Sequence, residues 1–471
     1  MSDPVNNAVN SISDSLSTEG FFDFDVTRGD LRDISQVLAG LEPEQRNEVI
    51  SQLDDSQLEN WAGEIHGTWG DLPADERQQL FADLAQGLDA EQMVRMVNAF
   101  DAKGQYDSIR ELGTAVATHG SPDSKVAFVD AMAERTVEGR DSYNPDPTHR
   151  HDVTDRVNAD PDAQAVAEVL GSLQGSHFDE AVGHLSETQL KAVMQAGIHE
   201  TEVNSRNGSI TNFDTTVAAQ IVEAAATSND PAVQALVFDA AADKLGDIQG
   251  GGDQGAVPGG IGVDSRLAPA RDTLSSAMTT LINADTTGIV QHLETTDRYG
   301  DSLTTYLQEQ LANGREEQVG ELILKLQSGN DLSEDPVARF EAEDAGGNRN
   351  NAQVLGYFGG SMEAAVRNVT SDRVAQAEMI GEIFGSVVTV AGIAGKAGGS
   401  ATTVGTNAAT YLSQEFIDDR VADIKAEGSN LRDELNQLVY PHDADGIPYE
   451  GERSESAFDS AHSRVVLHHG F

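Results

Sequence analysis

Beyond residue 34, apolar positions recur at helical spacing almost to the end of the chain. Val319, Leu322, Ile323 and Leu326 show the pattern: spacing i, i+3, i+4, i+7 puts all four on one helix face, and Gly329 follows as a C-cap. Leu412, Phe416, Ile417, Val421, Ile424, Leu431, Leu435 and Leu438 continue it to Tyr440, with a break expected near Gly428. Strand-like alternation is almost absent. The pattern predicts an all-α protein.

Two short words recur. Leu53-Asp54-Asp55-Ser56-Gln57, Leu88-Asp89-Ala90-Glu91-Gln92 and Leu185-Ser186-Glu187-Thr188-Gln189 each place a capping residue three positions before a glutamine, the spacing of a capping box. The preceding leucine can staple the turn, so each word predicts the joint of a helix–turn–helix pair. Ser121-Pro122 and Asp230-Pro231 each open a further helix, with a capping residue and then proline at the first helical position, where no N–H is needed. Their paired order predicts a duplicated helical unit of roughly 70 residues, stacking as solenoid repeats do. The polar stretch Asn204–Asp214 is the expected insertion in the second copy.

The expected organisation is a polar arm over 1–34, helical modules over 35–145 and 146–248, and a glycine-rich linker over 249–267. A helical domain over 268–440 and a polar tail over 441–471 follow. The linker has no Gly-Lys-Ser/Thr ending and no strand before it, so it is neither a P-loop nor a dinucleotide loop.

Within the C-terminal domain, residues 375–411 stand apart. Lys396 is the sole ionised residue from Ile383 to Gln414. Ile383–Gly395 would extend roughly 20 Å as a helix, short of the ~30 Å hydrocarbon layer. Ile383, Phe384, Val387 and Val388 are its apolar anchors, and Gly381, Gly385, Gly392 and Gly395 permit close helix approach. Two readings follow. The favoured one is a buried helical hairpin turning at Lys396–Ser400; the other is a segment that enters a membrane after a conformational change. In outline alone the layout resembles pore-forming toxins of the colicin type.

Charge then narrows the function classes. Lys plus Arg is 30 against 79 Asp plus Glu, a net charge of −49 spread along the whole chain. No basic footprint for nucleic acid exists in such a sequence. A saline or acidic setting, or a cationic partner, suits it. Cysteine is absent, which removes disulfides, thiolate nucleophiles and Cys-based metal sites. The N-terminal residues have no basic n-region or apolar h-region, so the expected route is synthesis in a bacterial cytoplasm and export independent of a signal peptide. No transmembrane helix is expected.

Candidate chemistry is sparse. Gly-x-Ser-x-Gly and His-Glu-x-x-His are both missing. Asp23, Asp25 and Arg28-Gly29-Asp30 have part of a calcium-loop pattern, read as a turn entering a helix because the glycine is misplaced. Asp443 and Asp445, with Gly446 and then Glu450, form the better calcium candidate; an Asp-Gly turn is the plainer reading. His149 and His151 are read as a solvated loop, and His462, His468 and His469 as a mobile terminus. No catalytic residue is assigned, and no cofactor beyond that calcium.

Leu41–Arg46, Leu72–Arg77 and Phe128–Ala131, together with Asp285–Val290, Gly329–Leu332 and Leu355–Phe358, resemble uncharacterised α-helical regions of large secreted proteins of the polymorphic-toxin kind in Gram-negative bacteria. The resemblance implies delivery by a secretion or injection system, with a delivery machine, chaperone or immunity protein as partner. The expected function is a non-enzymatic helical effector or cargo protein, membrane-active through 383–412 in the second reading above. The alternative is a structural or adaptor scaffold of a phage particle or secretion machine. An enzyme built from scattered carboxylates is the least favoured class.

Overall fold

A computed structural model describes residues 4–16, 26–66, 72–136, 160–205, 208–249, 264–396, 414–426, 431–442, 449 and 451–471. Among them the chain forms 23 helices and one two-stranded hairpin, the all-α class expected. It divides into two units, 1–229 and 230–471.

Unit 1 contains α1 (Pro4–Leu16), α2 (Arg28–Ala39), α3 (Pro43–Gln52), α4 (Asp55–Ile65), α5 (Ala74–Gly87), α6 (Ala90–Ala102), α7 (Tyr106–His119), α8 (Pro122–Ala133), α9 (Pro161–Gly171), α10 (Gly175–Gly183), α11 (Glu187–Ala196) and α12 (Thr216–Ala225). Each helix packs on the one two places before it. The odd-numbered helices α1 to α11 make one row and the even-numbered helices α2 to α12 make the other. Such a unit buries its faces only by stacking on its neighbours.

The capping words hold the joints. Asp54 with Gln57 and Ser186 with Gln189 form reciprocal capping boxes. Asp89 caps the Gln92 amide, but the Asp89 N–H donates to Asn47 Oδ1 (3.0 Å) and the Gln92 side chain accepts from Arg95 (2.9 Å), so that box is opened by competition. Ser121 and Asp230 cap their Pro-led helices. Thr27 and Asp30 form a capping box on α2, which places Asp30 in a helix start; Asp23 and Asp25 lie outside the described residues.

Three expectations change. The N-terminal arm contains α1, because Val5, Ala8, Ile12 and Leu16 line one face and are buried. The polar stretch after α11 is an antiparallel hairpin, β1 (His199–Ser205) with β2 (Gly208–Asp214), in the register Val203 opposite Ile210. The tail is no loose extension, as its helix in unit 2 shows.

Unit 2 contains α13 (Pro231–Gln249), α14 (Asp264–Ala284), α15 (Thr286–Thr296), α16 (Asp301–Ala312), α17 (Glu316–Ser328), α18 (Pro336–Glu341), α19 (Asn350–Val369), α20 (Arg373–Lys396), α21 (Gln414–Lys425), α22 (Leu431–Val439) and α23 (Glu452–His468). The helix α13, counted with the second module from its sequence, packs on α14, α15 and α16. Gly329 ends α17 with φ +80°, the left-handed region that favours glycine. The centre is α19, almost wholly buried, with α23 along it. At Gly356 and Gly360 the two backbones meet: a Cβ on Gly356 would lie 2.8 Å from Phe458 Cα, and one on Gly360 would lie 2.8 Å from the His462 carbonyl oxygen, while Gly359 makes room for the His462 and Phe458 rings. Phe458, His462 and Val465 of the expected tail are therefore core residues, fully buried.

Candidate functional site

The structure describes the first half of the uncharged segment as part of one helix, α20. Ile383, Phe384 and Val387 are fully buried between α17 and α21, and Val388 is partly exposed. The close approach comes from the neighbouring helix: a Cβ on Gly320 of α17 would lie 2.8 Å from the Ile383 carbonyl oxygen. Gly381 also supports contact, facing Val421 at 3.0 Å, but Gly385 meets nothing within 4 Å among the described residues. Gly392 and Gly395 lie within α20, and the turn and return arm over 397–413 fall outside the described residues. No described helix is long and apolar enough to cross a membrane.

The calcium candidates Asp443, Asp445 and Glu450 also lie outside the described residues, as do His149 and His151. Among the described residues no group of three or more His, Asp or Glu side chains is arranged to hold a metal.

The cavity with unmet hydrogen-bonding groups lies in unit 1. It has a volume of about 510 Å³ and is lined by residues of α4's end, α5, α7 and α9. Helix α7 supplies its floor. Asp107, Arg110, Glu111 and Thr114 have spacing i, i+3, i+4, i+7, while Ile109, Leu112 and Val116 bury the opposite stripe. Gly113 brings α7 against α9: a Cβ there would lie 2.5 Å from Ala165 Cα. That approach places Gln164 and Glu168, one helical turn apart on α9, beside the α7 stripe.

Arg77, in the first turn of α5, donates through Nε to Glu111 (2.7 and 3.0 Å) and through Nη1 to the Leu72 carbonyl (2.9 Å). His66, which ends α4, brings Nε2 within 3.4 Å of Glu111 Oε2 without an aligned hydrogen bond. Burial alone would raise the Glu111 carboxyl, but His66 and Arg77 outweigh it and hold it below the usual carboxylate range. Arg110 is bonded to Asp107 through one nitrogen. Gln164 is 3% exposed, and its Nε2 is buried with no hydrogen-bond partner. A smaller groove between α4 and α6 offers no such group: its Arg95 reaches Ile50 O, Leu53 O, Asp55 and Gln92.

One member of this cavity, Arg77, stands in the sequence at the end of Leu72–Arg77, a segment that carries the family resemblance, with no role assigned to it. His66, Asp107, Arg110, Glu111, Thr114, Gln164 and Glu168 went unremarked, because they come from separate helices in a chain rich in carboxylates. No family model and no curated protein matches the chain.

Proposed function

We propose that the chain is a non-enzymatic helical effector or cargo protein of a bacterial secretion or injection system, acting by contact with a protein partner. The observation that carries the proposal is the two-row stacking of capped helix pairs in unit 1, with a polar cavity between four of its helices. Stacked helix pairs present extended binding surfaces rather than a single deep catalytic cleft. The spread of −49 charges favours a cationic partner and fast association at low salt. The test is recovery of the protein outside a producing bacterium. Export that disappears when the secretion machinery is removed supports the proposal. Retention inside both strains, with no partner recovered by crosslinking, removes it.

A membrane-active variant of this proposal requires α20 to leave the core. Ile383, Phe384 and Val387 are fully buried in α20, which packs on α17 and α21, so insertion has to break that packing first. Dye release from anionic liposomes between pH 4 and 7 tests it; liposomes that stay tight throughout the range leave the contact reading alone.

A further inference from the structure

We propose that Lys125 is the site at which this chain is acylated, its Nζ taking an acyl group from an activated carboxylic donor, an acyl phosphate or an acyl thioester. The proposal is independent of how the protein is delivered.

Seven lysines stand among 79 acids, and the side chains of six lysines are described. Five of the six are held by carboxylates. Lys191 reaches Glu187 (3.0 Å) and Lys325 reaches Glu321 (3.0 Å), each one helical turn back. Lys244 lies beside Asp243 (3.1 Å) and Asp247 (3.2 Å). Lys103 meets Glu59 (3.5 Å) and Lys425 meets Glu378 (3.4 Å), both from another helix. Among the described residues Lys125 is the one lysine that no carboxylate reaches.

The reason lies in α8 itself. The positions three and four residues away, Ser121, Pro122, Phe128 and Val129, hold no acid, so no ion pair within the helix can form. The neighbouring acids, Asp123 and Asp130, stand two and five residues away and lie beside His177 (3.4 Å) and His184 (2.9 Å) instead. The lysine stem lies against the turn between α7 and α8, where a Cβ on Gly120 would be 3.5 Å from Lys125 Cγ. The residue is thus half-buried without a counter-charge, and burial lowers its pKa.

Only the neutral amine is a nucleophile. A carboxylate beside an ammonium group holds it charged, and acylation there also strands the acid that used it. Neither obstacle exists at Lys125. The neutral Nζ attacks the carbonyl carbon of the donor and a C–N bond forms. The bond from that carbon to phosphate oxygen or thioester sulfur breaks, the leaving group departs with the electron pair, and the amine gives one proton to water. The product is an uncharged amide.

The test is a time course on the folded full chain at pH 8 with acetyl phosphate and, separately, with acetyl-coenzyme A. Mass spectrometry of peptides cut at acidic residues reads the acetyl occupancy of each lysine. Lys125 should react about fivefold faster or more than Lys103, Lys191, Lys244, Lys325 and Lys425, since an exposed ion pair holds its amine charged by about that factor. The donor that labels it tells phosphate from thioester as the source. Lys103 and Lys425 are more exposed than Lys125; if either leads, access rather than pairing sets the order and the proposal falls. Unfolding in guanidinium chloride should level the six, and a Lys125 preference that persists there overturns the proposal as well. Glu378→Gln is the second variant. It releases Lys425, whose rate should rise toward that of Lys125; an unchanged rate removes the ion-pair argument. Absence of acetyl at Lys125 with both donors also overturns the proposal.

Discussion

His462 Nε2 lies 3.3 Å from Glu363 Oε2, and neither side chain is exposed. The pair joins α23 to α19 where their backbones touch, yet no aligned hydrogen bond forms between the two atoms. Glu363 is held from its other oxygen by Arg367 (Nε, 2.9 Å). The charged groups acting on the imidazole are Arg367 on α19 and Arg432 on α22, with Glu363 beside it; Asp433 on α22 acts on Glu363. Burial, then repulsion by Arg432 and Arg367, pushes the His462 pKa down to about 3.

A pH dependence follows. The unfolded imidazole binds its proton near pH 6.5 and the folded one only near pH 3, so the folded state binds fewer protons between them. Stability from this group is present above pH 6.5 and is lost as pH falls through that window. Glu363 opposes it: burial raises its carboxyl, so its contribution is present at low pH and lost as pH rises through the raised value. Comparison with His462→Gln isolates the histidine. Between pH 7 and 4.5 the wild type should lose roughly 2 kcal/mol more than the variant. Hydrogen exchange of α23 amides reads this directly, and parallel pH profiles for the two proteins would refute it.

The glycines of α19 should tolerate nothing larger. Gly356→Ala drives a methyl group into the Phe458 backbone, which cannot yield as a flexible side chain can, and should cost about 3 kcal/mol. Gly385→Ala in α20 meets no atom within 4 Å among the described residues and should cost far less than Gly356→Ala. Exchange protection of unit 2 ranks the three proteins. Equal losses for both variants would mean that α23 is not seated on α19 as described.

Arg135 is a second, partly buried anchor. Its Nε donates to Asp162 (3.0 Å), Nη1 to Asn98 (2.6 Å) and Nη2 to Asp101 (3.3 Å), tying the end of α8 to α6 and α9. Asp162 is 1% exposed, and burial raises its pKa to about 6 against the pull of Arg135. Its contribution is complete at low pH and is lost as pH rises through 6. Arg135→Met should destabilise unit 1 by about 3 kcal/mol at pH 8 and by less at pH 5, where protonation relieves the stranded carboxyl. Adding Asp162→Asn should recover part of the loss. Both tryptophans, Trp61 and Trp69, belong to unit 1, so their fluorescence on urea titration reports this unit. A penalty that does not change with pH would contradict the buried-charge explanation.

The helical architecture was legible because its signals are local. Capping residues, proline at the first helical position and i, i+3, i+4, i+7 stripes act within one or two turns, and the two-row stacking follows from them. The strand hairpin was missed because Glu200, Thr201, Glu202 and Asn204 show no apolar alternation; the signal that could have found it is the Asn207-Gly208 pair, a turn marker in any sequence, which here stands where β2 begins at Gly208. The docked tail was missed for another reason. Phe458, Ala461, Val465 and Val466 already have a helical stripe, but His462 within it reads as polar until α19 is seen to bury it. The cavity is a tertiary object altogether, since Arg77, Glu111 and Gln164 meet only after α5, α7 and α9 stack.

Asp89 offers the sharpest separation of a local signal from a tertiary one. Its carboxylate caps the Gln92 amide (2.9 Å), as the word in the sequence implies, and also accepts from Asn47 Nδ2 (2.7 Å) on α3. Asn47 Oδ1 in turn accepts from the Asp89 N–H (3.0 Å). Asp54, by contrast, accepts within its own first turn, from Gln57 N–H (2.9 Å) and the Ser56 hydroxyl (2.7 Å), and it is Gln57 that reaches out, donating to Ser13 Oγ of α1 (3.0 Å). Removing a cap costs about 1 kcal/mol. Asp54→Ala should therefore cost about 1 kcal/mol, and Asp89→Ala about 2 kcal/mol, since the α3–α6 tie adds one further hydrogen-bonded pair. Asp89→Ser keeps the cap and gives up the carboxylate, so it should fall between. In a double-mutant cycle with Asn47→Ala, Asp89 should show a coupling of about 0.5–1 kcal/mol, and Asp54 none. Urea midpoints followed by tryptophan fluorescence at constant slope supply the numbers. A vanishing Asn47–Asp89 coupling would reduce Asp89 to an ordinary cap and leave its opened capping box without an energetic reason.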